Sequence, residues 1–224
     1  MIGFNFMFVK VFFRKCAAWM AMVLPIQLAY GLPAAAFTAE ISAIPAPIET
    51  EMKKYTWHTG CPVGIAELAY IRMSYWGFDQ KPHLGEMIVS QRLAPEVVGI
   101  FKILYEQRFP IERMQLMDAY KGDDDAAMAE NNTSAFNCRD KTNKPGQFSL
   151  HSYGVAVDIN TLINPYVKGD QVLPPGGRKY KDRTKPVPGM IVRDGLVYHL
   201  FVQKGWQWGG DWDTRQDYQH FEKP

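Results

Sequence analysis

The sequence is short of cysteine, of histidine and of net charge. Only three cysteines and five histidines occur among 224 residues. Three thiols exclude a disulfide-dense scaffold and a four-cysteine zinc site. Lys and Arg number 25 against 23 Asp and Glu, a formal charge of +2, so no basic face advertises nucleic acid. Beyond the N-terminal segment no run approaches 18 unbroken apolar residues, which excludes a multi-span membrane protein. Familiar catalytic signatures are missing as well: there is no G-x-S-x-G elbow, no H-E-x-x-H helix, no phosphate-binding G-x-x-x-x-G-K-[ST] loop and no G-x-G-x-x-G fingerprint. What is present is an ordinary globular balance, 47% hydrophobic and 13% aromatic. That is too apolar for a disordered chain, and the length suits one domain or two small ones.

Residues 1–36 read as a targeting segment. Lys10, Arg14 and Lys15 precede an apolar run from Cys16 to Leu24, Pro25 breaks it, and Ala34-Ala35-Ala36 follows. A basic start, a short apolar core and an A-x-A site make a secretory signal peptide, with the cut expected after Ala36. A later start at Met20 and an uncleaved anchor are the alternatives. Cleavage removes three basic residues and no acidic one, which leaves no excess positive charge for a polyanion. The expected location is the periplasm or the extracellular wall, with no membrane contact after cleavage. Cys61 and Cys138 then remain, either as a disulfide or as two buried thiols. An oxidising compartment favours the bond.

Residues 37–56 contain Pro45 and Pro47 and few large apolar groups, and read as a linker. Residues 37–93 as a whole are expected to be an N-terminal linker with a helical or irregular extension, ahead of a domain over 94–224. The stripe Val97, Ile100, Phe101, Leu104, Tyr105 predicts a helix from Pro95 to Gln107, stopped by Phe109-Pro110. Residues 111–117 read as a strand and 121–132, with Asp123-Asp124-Asp125, as a solvated loop lacking calcium-loop spacing. Gly154 to Ile159 reads as a buried strand carrying one charge, Asp158. Residues 160–188 form a long Pro/Gly-rich excursion of the kind that is usually functional, with Tyr180 and Arg183 as candidate cleft residues. Asp194 is expected to cap a second helix that Gly205 ends. Of Trp206, Trp208 and Trp212, two are expected in the core. This order of elements argues for a mixed α+β domain.

Two histidines keep unusual company. His151 opens a segment running through Gly154 and Ala156 to Asp158, and His220 sits in Asp217-Tyr218-Gln219-His220-Phe221-Glu222. Two imidazoles and a carboxylate are the donor set of a catalytic zinc site with one position open for water. Asp158 lies in an apolar run, where a bare carboxylate is costly unless a cation or an arginine partners it. Gly154 and Ala156 are small enough for a close turn between the first two ligands. Asp217, three residues before His220, is the candidate general base, and Glu222 a candidate partner for a ligand imidazole. His58, His83 and His199 lack such a frame and read as structural or surface residues.

The string Ser149-x-His151-x-x-Gly154-x-Ala156-x-Asp158, with Trp206-x-Trp208-Gly209-Gly210-Asp211-Trp212 and Asp217-x-x-His220-Phe221 behind it, resembles the M15 family of zinc peptidases. That family includes D-alanyl-D-alanine carboxypeptidases and dipeptidases, and L-alanyl-D-glutamate endopeptidases of phage endolysins. The resemblance runs over about residues 94–224. It implies an α+β fold of the Hedgehog/DD-peptidase type, a small mixed antiparallel sheet with flanking helices around the zinc site. It also implies one zinc per chain on His151, Asp158 and His220, with Asp217 as base. Aspartate rather than glutamate at that position looks more like the endolysin-type branch. Thr133 to Arg139 resembles the strand that ends in an active-site arginine. Arg139 then either faces the substrate carbonyl and its developing oxyanion, or is a surface or aspartate-paired residue. The function implied is an exported, monomeric metallopeptidase acting on peptidoglycan peptides. The other reading is a non-catalytic, zinc-containing binding module of the same fold.

Overall fold

The protein is described by a computed structural model, which covers residues 1–3, 36–141 and 144–224. The chain divides into two compact units, Met1–Ala34 and Ala35–Pro224. Every element below belongs to the second. The signal segment lies outside the described residues, apart from 1–3 and 36. Among the described residues, no helix is long and apolar enough to cross a membrane.

The linker expected over residues 37–56 is instead strand β1 (Ala39–Ser42) and helix α1 (Ala46–Tyr55). The prolines that suggested a linker start the helix: Pro45 stands at its N-cap and Pro47 in its first turn, where no N–H is needed. Met52 is fully buried, and Ile44 and Ile48 pack beside it. The expected irregular extension is likewise regular. Strands β2 (Leu68–Trp76) and β3 (Pro82–Ser90) form a nine-residue hairpin, with β1 antiparallel on the free edge of β2. Helix α2 (Ala94–Glu106) lies where its apolar stripe predicts, with Val97, Ile100, Phe101 and Leu104 all buried.

Strand β4 (Arg113–Met114) is two residues long rather than the seven expected, and pairs in parallel with β5 (Asn132–Thr133). Between them the expected loop holds helix α3 (Asp124–Ala129). Asp123 caps it through a 3.1 Å bond from the Ala126 N–H, and Asp124 and Asp125 occupy its first turn. The acidic triplet is therefore a helix start, where carboxylates offset the positive end of the dipole. A short hairpin follows, β6 (Asp140–Lys141) and β7 (Lys144–Phe148).

Two further three-stranded antiparallel sheets carry the rest. Strand β8 (Ala156–Asp158) pairs with β13 (His220–Glu222), which pairs with β11 (Gln207–Trp208). Strand β9 (Tyr166–Lys168) is flanked by β10 (Gln171–Leu173) and β12 (Gln216–Asp217). The excursion over 160–188 is thus partly ordered sheet. Helix α4 (Leu196–Val202) begins at Gly195. Asp194 adopts φ +62° and makes no cap, which corrects its expected role. Gly205, at φ +83°, follows the helix. Of Trp206, Trp208 and Trp212, the first two are in the core.

Four buried asparagines bind the loops together. Asn160 donates to the carbonyls of Pro110 (2.8 Å) and Gly189 (3.1 Å) and accepts from the Glu112 N–H (3.1 Å). Asn131 accepts from the N–H groups of Leu162 and Ile163, and Asn132 is reciprocally bonded to Gln115. Asn164 accepts from Arg183 and from the Ile191 N–H. Asn131 and Asn160 sit at positive φ, a region that asparagine tolerates better than most residues.

Candidate metal centre and active site

The β8–β13 register places His220 directly opposite Asp158. Cross-strand neighbours on one face lie close enough for their side chains to meet, and His220 Nδ1 is 2.9 Å from Asp158 Oδ1. His151 arrives from a tight 3-10 turn over Leu150–Tyr153, which Ser149 caps by accepting from the His151 N–H. Gly154 ends that turn at φ +66°. A Cβ there would come within 2.5 Å of the Ser90 nitrogen, so the turn needs glycine for both conformation and space. The turn brings His151 Nε2 to 3.2 Å from Asp158 Oδ2 and 3.2 Å from His220 Nδ1.

The outer ring nitrogens decide what this cluster does. His151 Nδ1 lies 2.5 Å from the Ala135 carbonyl oxygen, which only accepts, so Nδ1 carries the proton and Nε2 presents a lone pair. His220 Nε2 lies 3.0 Å from Glu222 Oε2, so in the neutral ring Nδ1 presents the lone pair. Two imidazole lone pairs and a carboxylate then converge with no donor among them, in nearly complete burial. A cation satisfies that arrangement, and outer nitrogens held by a carbonyl and a carboxylate are how metal-binding imidazoles are oriented. In the metal-free protein a proton takes that place. Burial works against charge on His220, yet its hydrogen bonds to Asp158 and Glu222 win and push its pKa up to about 10. Burial also opposes ionisation of Asp158, but His151 and His220 outweigh it and hold the carboxyl well below the usual carboxylate range. Two nitrogens and one oxygen fit zinc, with room for a fourth ligand.

Asp217 lies across the cleft on β12, paired with Tyr166 of β9. Burial pushes its pKa up to about 6; the neighbouring Asp158 charge adds to the rise, while His220 and Gln219 oppose it. Gln219 donates from Nε2 to Asp217 Oδ1 at 3.0 Å, and its own Oε1 is buried without a protein partner. Gln219 belongs to no motif, and its two-residue spacing from Asp217 in extended chain is the one signal of its role in the sequence. Gly209, read as a tight turn, has a sharper role. A Cβ there would meet the Asp217 carbonyl oxygen at 2.7 Å and the Asp217 Cβ at 2.9 Å.

Arg139 lines the same cleft and is also aspartate-paired. Its Nε contacts Asp124 Oδ2, and one terminal nitrogen donates to the Asp140 carbonyl at 3.1 Å. The cleft encloses about 440 Å³, and His151, Asp158 and His220 are among its lining residues. Tyr166, Lys168 and Leu173 of the 160–188 segment line one wall, together with Trp212 and Arg215. Tyr180 and Arg183 do not line it. Arg183 is a half-buried strut bonded to Asn164 and to three carbonyls, its guanidinium 4.5 Å over the ring of Tyr218, the residue after Asp217. His83 and His199 are exposed.

Cys61 and Cys138 are joined by a disulfide and pack in the same apolar cluster as Met52 of α1. Exposed His58 stands 3.7 Å from Cys138 Sγ. These three residues also gather donor atoms, but the bond occupies both sulfurs.

Residues 142–223 match the Peptidase_M15_4 family, described as D-alanyl-D-alanine carboxypeptidase, which supports an M15 family peptidase. The matched segment contains His151, Asp158, Asp217, His220 and Glu222, and begins just after Cys138 and Arg139. No curated protein and no solved structure matches the chain.

Proposed function

We propose, from the M15 peptidase character of residues 142–223, that the protein is an exported zinc metallopeptidase. It would hydrolyse peptide bonds of peptidoglycan stem peptides as a monomer of the Hedgehog/DD-peptidase fold. The observation that carries this reading is the convergence of His151 Nε2, Asp158 and His220 Nδ1 in one cleft with Asp217. These three residues would hold the cation, and Glu222 keeps His220 in the ligating tautomer. When bound, the cation supplies Lewis acidity, polarising a water and the scissile carbonyl.

The chain's own groups do the rest. Asp217 accepts the proton of the attacking water and returns it to the leaving amine, a role that suits a carboxyl whose pKa burial has raised toward neutrality. Gln219 fixes which oxygen of Asp217 faces the reaction, since Oδ1 is already bonded. Arg139, held at the cleft wall by Asp124, presents positive charge to the carbonyl oxygen as it becomes negative.

The test is digestion of purified peptidoglycan by zinc-loaded protein, with and without a chelator, with released fragments read by mass. Chelator-sensitive release with one zinc per chain is expected. A lost terminal alanine identifies a carboxypeptidase, and a freed stem peptide an endopeptidase. Zinc bound tightly with no release from several wall types would replace the peptidase by a zinc-containing binding module. Absence of bound zinc would overturn the ligand assignment itself.

A further inference from the structure

The cleft carries four cations outside any close ion pair, of which Lys141 alone acts on a carboxylate of the cleft, Glu222. Lys141 and Lys144 stand on the β6–β7 hairpin at one side, and Lys168 and Arg215 on the wall formed by β9 and the approach to β12. Among the described residues none of the four makes an ion pair. The carboxylates that share the cleft make their close contacts with other groups. Asp124 holds Arg139, Asp158 holds both imidazoles, Glu222 holds His220, and Asp217 holds Gln219.

Arg215 is the best placed of the four. Its guanidinium lies 4.3 Å over the ring of Trp212, and that ring lies 5.5 Å from the ring of His220. The stack fixes the plane of the guanidinium and leaves its N–H edges free for an anion, the geometry in which arginine takes a carboxylate through two parallel bonds. Two stacking steps from a metal ligand correspond to at most about three residues of extended peptide.

We propose that the cleft selects acidic peptides, with free carboxylates within about three residues of the scissile bond. Arg215 and Lys168 read them on one side, and Lys141 and Lys144 on the other. This rests on the peptidase reading above and names its substrate class: stem peptides with free carboxylates are taken, and those whose carboxylates are carboxamides are poor substrates.

The experiment compares kcat/KM of the full-length, zinc-loaded protein on two synthetic peptides that differ only in free acid against amide at the flanking residues. A preference for the free acid of about tenfold to a hundredfold, expressed mainly in KM and shrinking as salt is raised, is expected. R215Q should remove most of it, R215K should keep part of it because the charge survives without the fork, and K168Q should lower it independently. Far-ultraviolet circular dichroism of each variant guards against misfolding. Equal kcat/KM on both peptides, or a preference that survives R215Q and K168Q together, overturns the proposal. If the wild-type protein cleaves neither peptide, the peptidase reading fails. Calorimetric titration of the same two peptides then decides the inference, because it still requires tighter binding of the free acid.

Discussion

At the scale of single residues, the site assigns different losses to different side chains. D217A should lower kcat by about a hundredfold to ten-thousandfold and leave zinc stoichiometry unchanged, measured on the same preparation by elemental analysis. Zinc loss in D217A would make the residue a ligand rather than a base. H220A should lose both metal and turnover. Asp217 also sets the pH dependence. A base works only when ionised, so kcat/KM should fall as the pH drops through a limb at or below about 6, the value to which burial raises this carboxyl. A limb above pH 7 would point to another group. The same shift has a consequence for stability. A carboxyl whose folded pKa lies above its unfolded value of 3.8 is favourable for folding below that value, and the advantage is lost as pH rises through about 6. D217N should therefore raise the thermal midpoint of the metal-free protein at pH 8 and have little effect at pH 4. Q219L, which removes the amide from Oδ1, should lower kcat with KM nearly unchanged. An equal effect on both parameters would mean that Gln219 only supports the fold.

At the scale of elements, the loops around the cleft depend on buried amides more than on apolar packing. N160A leaves two carbonyls and one N–H without their partner at a positive-φ position, and should cost about 2–4 kcal/mol in denaturant unfolding. A cost under about 0.5 kcal/mol would show that water replaces the amide. This dependence also explains what the sequence could and could not convey. Helix α2 was legible because five apolar residues repeat at helical spacing, and His151, Asp158 and His220 because the short segments that carry them hold a zinc-type donor set and resemble the M15 motifs. The helix at 124–129 was hidden because its start consists of three aspartates, which read equally as a solvated loop. Helix α1 was hidden because its start is two prolines, and its buried face rests chiefly on Ile48 and Met52. The latches at Asn131, Asn160 and Asn164 gave no pattern at all, since each acts on residues 19 to 50 positions away. Arg139 was half legible: its presence near the cleft followed from the segment it ends, whereas its pairing with Asp124 needed a helix that the sequence reading did not contain.

At the scale of the whole molecule, one covalent link among the described residues joins the N-terminal elements to the segment that leads into the His151 turn. Cys61 and Cys138 are 77 residues apart, and a loop of that length restrains the unfolded chain by about 4 kcal/mol. The C61S/C138S protein should unfold at a lower denaturant midpoint by up to that amount, while keeping its zinc, because neither sulfur borders the His151 cluster. Simultaneous loss of zinc would show that the link holds the cleft as well as the fold. The β8–β13 pairing, described above as the register that sets His220 against Asp158, also governs timing. His220 lies 62 residues beyond Asp158 and 69 beyond His151, so the third ligand is missing until the last strand has docked. The unfolded chain offers no more than scattered, weak donors, and tight capture of a cation reports the completion of folding. On the proposed reading, a chain exported unfolded would take up its cation only on the far side of the membrane, once β13 has closed.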